Sequence, residues 1–520
     1  MWNPDGIVVL GTPIGSDTFV QAQVSERLDN EATFLDQLPG LPDVQCAWQL
    51  LVRCAVPRMN HVLRTLPPGQ AARYASRHDE LIWSAAVRIL GAASINPVLR
   101  NDGWDLASLP ARLGGLGLRS ASRTRPAAYW ASWADALHMM SQRSPALLQR
   151  ILAALDNPPA ASSLAELSHA RATLVAEGFR LAPSWEDLSR GARPPQPTTT
   201  EPGEWTHGWQ YHAATCRERF FRRHSVLACA SPANRALLRS QSGPLAGTAL
   251  NCAPTGKEFE LSPERFRALT FRRLRWPLPL LPSACEGCGS HMDVYGDHRC
   301  ACMVTGRVKL RSIPMERVLA RICTEAGARV RTNIFLRHLN LPVLAGDDRR
   351  IEVLAQGLPC YGGAQLAIDA TMGSPLRGDG QPRPRAAWQD GAALLDARRD
   401  KDRTYPEFQS GTRARLVVIA AETGGRVSAE TVDFLWQLAT ARASSAPWYL
   451  RGSAAYAHFR RWSRLLAVTC ANALAASLLE ERDALALETP QAGGCPWLMD
   501  LLAEARLDML TPPSGLPLRG

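Results

Sequence analysis

The chain has 520 residues, of which 46% are hydrophobic and 21% are charged, and this composition excludes a wholly disordered or fibrous protein. At about 100–200 residues per domain, the length predicts two to four folded units. The formal net charge is +11, and residues 205–276 contribute most of it, with twelve Lys or Arg against four Glu. This local excess favours a polyanionic partner, either a nucleic acid or an anionic membrane.

The sequence argues against a membrane or secreted protein. Residues 1–5 show no basic or apolar part of a signal peptide, and no stretch reaches ~18 uninterrupted apolar residues. Residues 465–479 come nearest, but Asn472 interrupts them and they predict a buried helix. Thirteen cysteines, an odd number with one dense cluster, are not typical of a disulfide framework. We expect a reducing compartment and no membrane partner.

The amino-terminal part is predicted to be mainly helical. Residues 6–10 predict a short strand, and helical periodicity follows to about residue 97. One strand followed by helices leads us to expect that the chain begins inside a larger fold. Residues 104–119 are too glycine-rich for a helix, and the next helix is predicted over 126–140. Residues 183–202, with five prolines and three consecutive threonines, predict an exposed linker.

The basic region after this linker is predicted to end in a helix, with Ser262 as N-cap and Pro263 in the first position. At helical spacing three arginines of this region fall on one face. The candidates for phosphate contact are Arg222, Arg223, Arg265, Arg272 and Arg275. The alternative is a solvated arginine face on an ordinary surface helix.

The carboxy-terminal half predicts alternating helices and strands. The helices are predicted over 314–326, 388–403, 428–443 and 456–487, and the strands over 328–336, 350–355, 364–371 and 415–420. Up to residue 443 the order is αβββαβα, which is the core order of the restriction-endonuclease-like fold and occurs in other α/β folds too. The last helix is expected to pack on this domain.

A cysteine and histidine cluster precedes this domain. Cys285 and Cys288 are separated by two residues, and His298 and Cys302 by three. Two thiolates on a tight turn, followed by an imidazole and a thiolate one helical turn apart, can complete a tetrahedral Zn²⁺ shell. Cys300 could replace Cys302, His291 could replace His298, and a cluster of free cysteines is the alternative to a metal site.

Acidic residues on neighbouring predicted strands form a second candidate site. Glu352 and Asp369 can hold Mg²⁺, and Lys401 can orient or deprotonate a water that attacks a phosphodiester. Surface salt bridges are the alternative, because acids on adjacent strands are common. The runner-up metal ligands are Asp347 and Asp348, and the possible accessory acids are Glu422 and Glu316.

Several short motifs together resemble a known family. Leu-Gly-Thr-Pro-Ile-Gly at 10–15, Pro-Arg at 57–58 with His-Val-Leu-Arg at 61–64, and Leu-Gly-Gly-Leu-Gly-Leu-Arg at 113–119 resemble the stretch after the polymerase palm in non-long-terminal-repeat (non-LTR) retrotransposon reverse transcriptases. The cysteine and histidine cluster resembles the carboxy-terminal half of the early-branching, site-specific elements of that group, which carry a restriction-like endonuclease. So do Arg-Arg-Ile-Glu-Val at 349–353, Gly-Ala-Gln-Leu-Ala-Ile-Asp at 363–369, Lys401 with Tyr-Pro-Glu at 405–407, and Glu-Thr-Gly-Gly-Arg at 422–426.

The resemblance implies a structural zinc knuckle and a PD-(D/E)xK-type nuclease that nicks target DNA, exposing a 3′-hydroxyl from which reverse transcription is primed. Asp369 then matches the second acid and Lys401 a displaced lysine, while Glu352 stands where the family pattern has Asp. The implied partners are target DNA, element RNA and an intact reverse transcriptase supplied in trans, and the implied location is the nucleus. The palm aspartates would precede Met1, so polymerase activity is not expected from this chain.

These predictions give a multidomain protein with an all-α thumb-like region, a zinc knuckle and an α/β restriction-endonuclease-like domain with a helical tail. The predicted units are a thumb-like remnant (1–125), a helical region (126–182), a linker (183–204), a basic helical nucleic-acid-binding region (205–281), the knuckle (282–305), the nuclease (306–445) and a helical carboxy-terminal region (446–510). The alternative functions are a catalytically dead nucleic-acid-binding module and a relic without selected function.

Overall fold

The computed structural model describes residues 5–160, 162–180, 182–195, 207–278, 283–339, 341–409, 413–479 and 495–508. Within these ranges the protein is mostly helical, with a two-stranded hairpin, a four-stranded mixed sheet and a Cys/His cluster. At this level the predicted α-rich architecture with a small sheet is confirmed.

The amino-terminal part begins with an antiparallel hairpin of β1 (Gly6–Val9) and β2 (Thr12–Gly15), where the sequence predicted a single strand. The helices up to the Cys/His cluster are α1 (Asp17–Gln37), α2 (Val44–Leu50), α3 (Met59–Thr65), α4 (Ala72–Ile89), α5 (Pro97–Ala107), α6 (Ala121–Arg143), α7 (Pro145–Asp156), α8 (Ser163–Ala176), α9 (Trp185–Ser189), α10 (Trp209–Phe221), α11 (Pro232–Ser240) and α12 (Pro263–Leu274).

Three predictions in this part need correction. Helix α5 extends to Ala107, into a stretch that was expected to be non-helical. Helix α6 begins five residues before Pro126, because the Ser120 hydroxyl caps it by accepting a hydrogen bond from the backbone N–H of Arg123 at 3.1 Å. The predicted linker is wrong at its start, since α9 lies there with Leu188 buried. Residues 196–206 lie outside the described ranges.

The carboxy-terminal half contains the predicted elements in the predicted order. The elements of this half are α13 (Asp297–Ala301), α14 (Arg307–Leu310), α15 (Ser312–Glu325), β3 (Arg329–Phe335), β4 (Arg350–Gln356), β5 (Gln365–Gly373), α16 (Ala392–Thr404), β6 (Ala414–Glu422), α17 (Ala429–Ala443), α18 (Arg451–Leu479) and α19 (Leu498–Asp508). The short helices α13 and α14 and the last helix, α19, were not among the predicted elements. The sheet order is β3-β4-β5-β6. The first two pairs are antiparallel and β5 runs parallel to β6.

Apolar side chains cover both faces of this sheet. One face of β5, with Leu366 and Ile368, joins the core that also contains residues of α15, α17 and α18. The other face, with Ala367, joins a cluster that includes Leu394 of α16. The first of these cores continues without a break into α1, α2 and α4. The amino-terminal helices and the sheet domain are therefore packed together around one core.

A second core lies in the helical region between them. It combines buried side chains of α6, α7, α8, α9 and α10. Trp130 is central to it, with its ring centroid 5.3 Å from that of Phe179 and 5.7 Å from that of Trp209. Helix α6 runs through the predicted boundary at 125/126, so this helix links the two cores.

The segment Trp448–Leu479, which contains α18, is long and apolar enough to cross a membrane, but 72% of its most apolar window is buried inside the protein. That burial is typical of a core helix and agrees with the buried helix predicted over 465–479. Residues 480–487 of the predicted tail lie outside the described ranges.

Candidate functional site

The cysteine and histidine cluster has the geometry of a metal site. One ligand atom from each of Cys285, Cys288, His298 and Cys302 lies within 4.8 Å of all the others. The Cys302 sulfur is 3.9 Å from both other sulfurs, and His298 Nε2 is 3.3 Å from the Cys288 sulfur. Tetrahedral zinc with Zn–S bonds of ~2.3 Å separates its sulfurs by roughly 3.8 Å. These four side chains therefore fit a Zn²⁺ ion.

Backbone hydrogen bonds form the loop that carries the first two cysteines. The N–H of Cys285 donates to the carbonyl of Ser290 at 2.9 Å, and the N–H of Gly289 donates back to the carbonyl of Cys285 at 2.8 Å. Gly289 has a φ of +69°, which a glycine adopts without strain. The hydrogen bond between the Cys288 thiol and Ser290, the largest effect on this group, lowers the pKa of Cys288 to about 6, favouring the thiolate that a metal requires.

A short helix carries the other two ligands and is capped by a carboxylate. Asp293 accepts hydrogen bonds from the backbone N–H groups of Asp297 and His298 at 2.9 and 2.8 Å. His298 Nδ1 lies 2.7 Å from the carbonyl oxygen of Gly378, a donor contact that leaves Nε2 facing the sulfurs. Gly378 belongs to the loop between β5 and α16, so this contact ties the cluster to the sheet domain.

The structure decides between the alternative ligands. Cys300 is 1% exposed, and its carbonyl accepts a hydrogen bond from Arg311 at 2.7 Å. His291 is exposed and forms a β-bridge with Ala284. Neither residue belongs to the four-residue group. All thirteen cysteines are free thiols.

The predicted basic helix is built as expected but does not present one arginine face. Ser262 caps α12 and Pro263 follows it. Arg272 is only 4% exposed and contacts Asp297 at 2.8 Å, and Arg275 reaches the same carboxylate at 2.9 Å from a left-handed C-cap. This corrects the predicted shared phosphate-binding face, because these two cations anchor α12 to the metal-binding helix.

The other three predicted phosphate contacts lie apart from that pair. Arg265 donates to the Asn472 side chain at 3.0 Å, and Arg222 donates to Ser242 Oγ at 2.9 Å. Arg223 is exposed. Arg265 and Arg222 are thus engaged by neighbouring polar side chains, while Arg223 is open to solvent.

The two predicted acids do come together in the sheet. Val353 of β4 pairs with Ile368 of β5, and continuing the antiparallel register by one residue places Glu352 opposite Asp369. Glu352 Oε2 accepts a hydrogen bond from the backbone N–H of Ala370 at 2.5 Å. Asp369 is 1% exposed, so this carboxylate is held inside the domain.

Helix α16 brings the predicted lysine to this carboxylate. Lys401 Nζ lies 2.5 Å from Asp369 Oδ1. Tyr405, one helical turn later, donates its hydroxyl to the carbonyl of Arg350 at 3.0 Å, and burial, followed by the nearby charge of Asp369, raises its pKa. Glu352, Asp369 and Lys401 therefore lie together in the folded chain. The i, i+4 spacing of Lys401 and Tyr405 was the sequence signal that could have added Tyr405 to the prediction.

A third carboxyl, Glu316 of α15, completes an acidic cluster. Burial and the nearby charges of Asp369 and Glu316 raise the pKa of Glu352 to about 9. Burial is also the largest cause that raises the pKa of Glu316. Carboxylates that are crowded in a poorly solvated place repel one another, and this repulsion raises their pKa values. A bound divalent cation would reduce the repulsion. In the described residues only the Cys/His group brings three or more ligand atoms within 4.8 Å of one another.

The remaining predicted acids serve elsewhere. Asp347 pairs with Arg349 at 2.6 Å and Asp348 with Arg337 at 2.9 Å. Glu422 lies opposite Gly373 on the parallel pair, four positions beyond the pairing partner of Asp369, or ~13 Å along the strand. Burial raises the pKa of Glu422 to about 7, and it contacts Ser240. These three acids are therefore not part of the cluster around Asp369.

No protein-family model matches this chain, and no curated protein matches it either. The chemistry of the site therefore has to be deduced from its own residues and geometry.

Proposed function

We propose that this chain is the carboxy-terminal portion of a non-LTR retrotransposon reverse transcriptase and endonuclease, and that its sheet domain nicks target DNA in the nucleus to prime reverse transcription of element RNA. Polymerase activity is not part of the proposal, and an intact reverse transcriptase would act in trans. The main support for this proposal is that Glu352 and Asp369 lie on two neighbouring strands and that Lys401, from one helix, contacts Asp369.

The sheet topology agrees with a restriction-endonuclease-like fold. A helix, three antiparallel strands, a crossover helix and a fourth strand parallel to the third occur in this order. The crossover helix α16 carries Lys401 to the face of β5 on which Asp369 lies. Acids on the central strands and a lysine from a flanking element are the arrangement that the resemblance implies.

The acidic cluster would hold Mg²⁺ through Asp369 and Glu352, with Glu316 as an accessory acid. Burial and the neighbouring carboxyl groups of Asp369 and Glu316 raise the pKa of Glu352, and a divalent cation among these three acids would favour its ionised form. When bound, Mg²⁺ would supply Lewis-acid activation of the phosphate.

The side chains of the chain itself then have separate tasks. The Lys401 ammonium is suited to orienting the attacking water and to stabilising negative charge on the phosphate. The ion pair with Asp369 holds the Lys401 ammonium in place. In the reaction the water oxygen bonds to phosphorus and the bond to the 3′ oxygen breaks. That oxygen takes up a proton, which leaves a 3′-hydroxyl and a 5′-phosphate.

A catalytically dead nucleic-acid-binding module is the second candidate. The observation that favours it is the 2.5 Å ion pair between Lys401 and Asp369, which ties up a carboxylate that would bind the cation. Glu352 is also one methylene longer than the Asp of the family pattern, and its carboxylate is hydrogen-bonded to the backbone of Ala370.

Nicking of supercoiled plasmid by the purified, zinc-loaded chain with Mg²⁺ tests the proposal. Asp369→Asn removes the central carboxylate charge, so nicking should fall by ~100-fold or more. The matched control is Asp400→Asn on α16, because Asp400 is exposed and forms a surface ion pair with Arg403.

We expect the wild type and Asp400→Asn to nick the plasmid and Asp369→Asn to lose this activity. Equal nicking by both variants would show that the activity comes from elsewhere and would refute the assigned site. If the wild type does not nick but binds DNA with a steep salt dependence, the second candidate is correct.

A further inference from the structure

A cationic cavity lies far from the acidic cluster in sequence and shares no residue with it. Its volume is about 220 Å³, several times the ~30 Å³ occupied by one water. It lies between the segment around α3, the loop after α5, the segment before α12, and α18. Four segments of the chain that are separated in sequence therefore contribute to one cavity.

Arginine dominates the lining of this cavity. The charged residues that line it are Arg53, Arg112, Arg119, Arg460 and Arg464. Among the described lining residues there is no carboxylate, and Asn60, Asn251 and Thr248 add neutral polar groups. Five guanidinium groups around one cavity repel one another, so the arrangement favours an anionic ligand.

Most of these arginines are held in place by the protein. Arg53 donates to Gln49 Oε1 at 2.8 Å and to the carbonyl of Asn251 at 3.0 Å. Arg112 donates to Thr215 Oγ1 at 2.7 Å. Arg464 pairs with Glu504 at 3.1 Å. Such fixed guanidinium groups form a pre-organised wall.

Arg119 is different because its guanidinium has no hydrogen-bond or ion-pair partner among the described residues. It is exposed and lines the cavity. The acid that acts on it, Glu218, is already bonded to Arg123 at 3.2 Å. Its backbone φ of +26° is unusual for a residue with a Cβ.

We propose that this cavity binds a phosphate group, with Arg119 as the residue that completes its coordination. A guanidinium offers paired N–H donors that match phosphate oxygens, and Arg119 is the donor group left unused by the protein. A phosphate of a nucleic-acid strand and a free phosphate or mononucleotide share this chemistry. The inference does not rest on nuclease activity, because no residue of the acidic cluster lines the cavity.

Fluorescence anisotropy with labelled oligo(dT), without Mg²⁺ so that no cleavage occurs, tests this site in the full chain. Arg119→Gln should weaken binding about tenfold and reduce the slope of log K against log salt by about one. The control is Arg143→Gln, which removes the same charge from an exposed position at the end of α6. Arg119→Lys should recover part of the affinity, since it restores the charge but not the paired donors.

Thermal denaturation with inorganic phosphate or adenosine monophosphate shows whether the bound phosphate belongs to a nucleic-acid strand or to a small free anion. If only oligonucleotide binding depends on Arg119, the phosphate belongs to a strand. If phosphate or the nucleotide raises the melting temperature of the wild type but not of Arg119→Gln, a small anion occupies the site. The proposal is overturned if Arg119→Gln matches Arg143→Gln in both assays. Unliganded melting temperatures equal to that of the wild type show that both variants fold.

Discussion

The buried position of Glu352 beside two other carboxyl groups changes the pH at which its side chain ionises. Burial and the carboxylates of Asp369 and Glu316 raise its pKa to about 9, whereas an unfolded glutamate ionises near ~4.3. Between these values the folded chain keeps a proton that the unfolded chain has released. The contribution of Glu352 to folding stability therefore falls as the pH rises through this window, and it is constant below the lower value.

Glu352→Gln should remove this pH dependence, because glutamine keeps the shape and can still accept the hydrogen bond from the Ala370 N–H. Relative to the wild type, the variant should gain stability between about pH 5 and pH 9, by at most ~1.4 kcal/mol per pH unit. Urea unfolding across this range measures the difference. Glu80→Gln is the control, since Glu80 is an exposed partner of Arg77. A difference that stays flat with pH would contradict the raised pKa.

At the scale of elements, the metal-binding loop has few apolar side chains of its own. Its local cluster contains only Cys285, Met292 and Cys302, so metal ligation would supply much of the free energy that orders it. The loop is held to the rest of the chain by the contact of His298 with Gly378 and by the pairing of Arg272 and Arg275 with Asp297.

Cys288→Ser should therefore abolish stoichiometric zinc binding and loosen residues 283–305. Metal content of the purified chain and hydrogen–deuterium exchange of this segment measure the two effects. Cys46→Ser is the matched control, because Cys46 is an exposed cysteine outside the cluster. Zinc retained by Cys288→Ser at the wild-type level would exclude Cys288 as a ligand.

Strands β4, β5 and β6 were predictable because each has an apolar stretch bounded by turns, and the alternation along β5 placed Asp369 and Leu366 on opposite faces. The spacing of Cys285, Cys288, His298 and Cys302 also predicted that these four side chains come together. Burial of Arg272 was not predictable, since helical spacing shows which residues share a face but not what covers that face. Helix α9 was missed because five residues carry too little periodicity to outweigh the surrounding prolines.

At the scale of the whole molecule, Arg273 connects regions that are distant in sequence. Its guanidinium donates to the carbonyls of Ala111 and Gly115 after α5, at 2.9 and 3.0 Å, and to that of Gly424 after β6 at 3.3 Å. Two further bonds reach the carbonyls of Gln241 and Ala246 at 2.7 and 2.9 Å. Burial lowers its pKa to about 9, which still leaves it charged at neutral pH.

The chain packs closely around this arginine. A Cβ at Gly424 would lie 2.5 Å from the carbonyl carbon of Ser240, so only glycine allows the turn after β6 to approach the end of α11. The thumb-like region and the sheet domain also share one continuous core. These two features predict that the thumb-like region and the sheet domain unfold together.

Arg273→Met should lower the stability of both regions at once, by about 3 kcal/mol, because the buried carbonyls that accept from Arg273 lose their donor. Calorimetry should show one main transition shifted to lower temperature, and hydrogen–deuterium exchange should increase both at 111–115 and near 424. Arg219→Met, an exposed arginine of α10, should leave both readouts unchanged. If only one of the two segments responded, the regions would be independent folding units, and the shared core would not couple their unfolding.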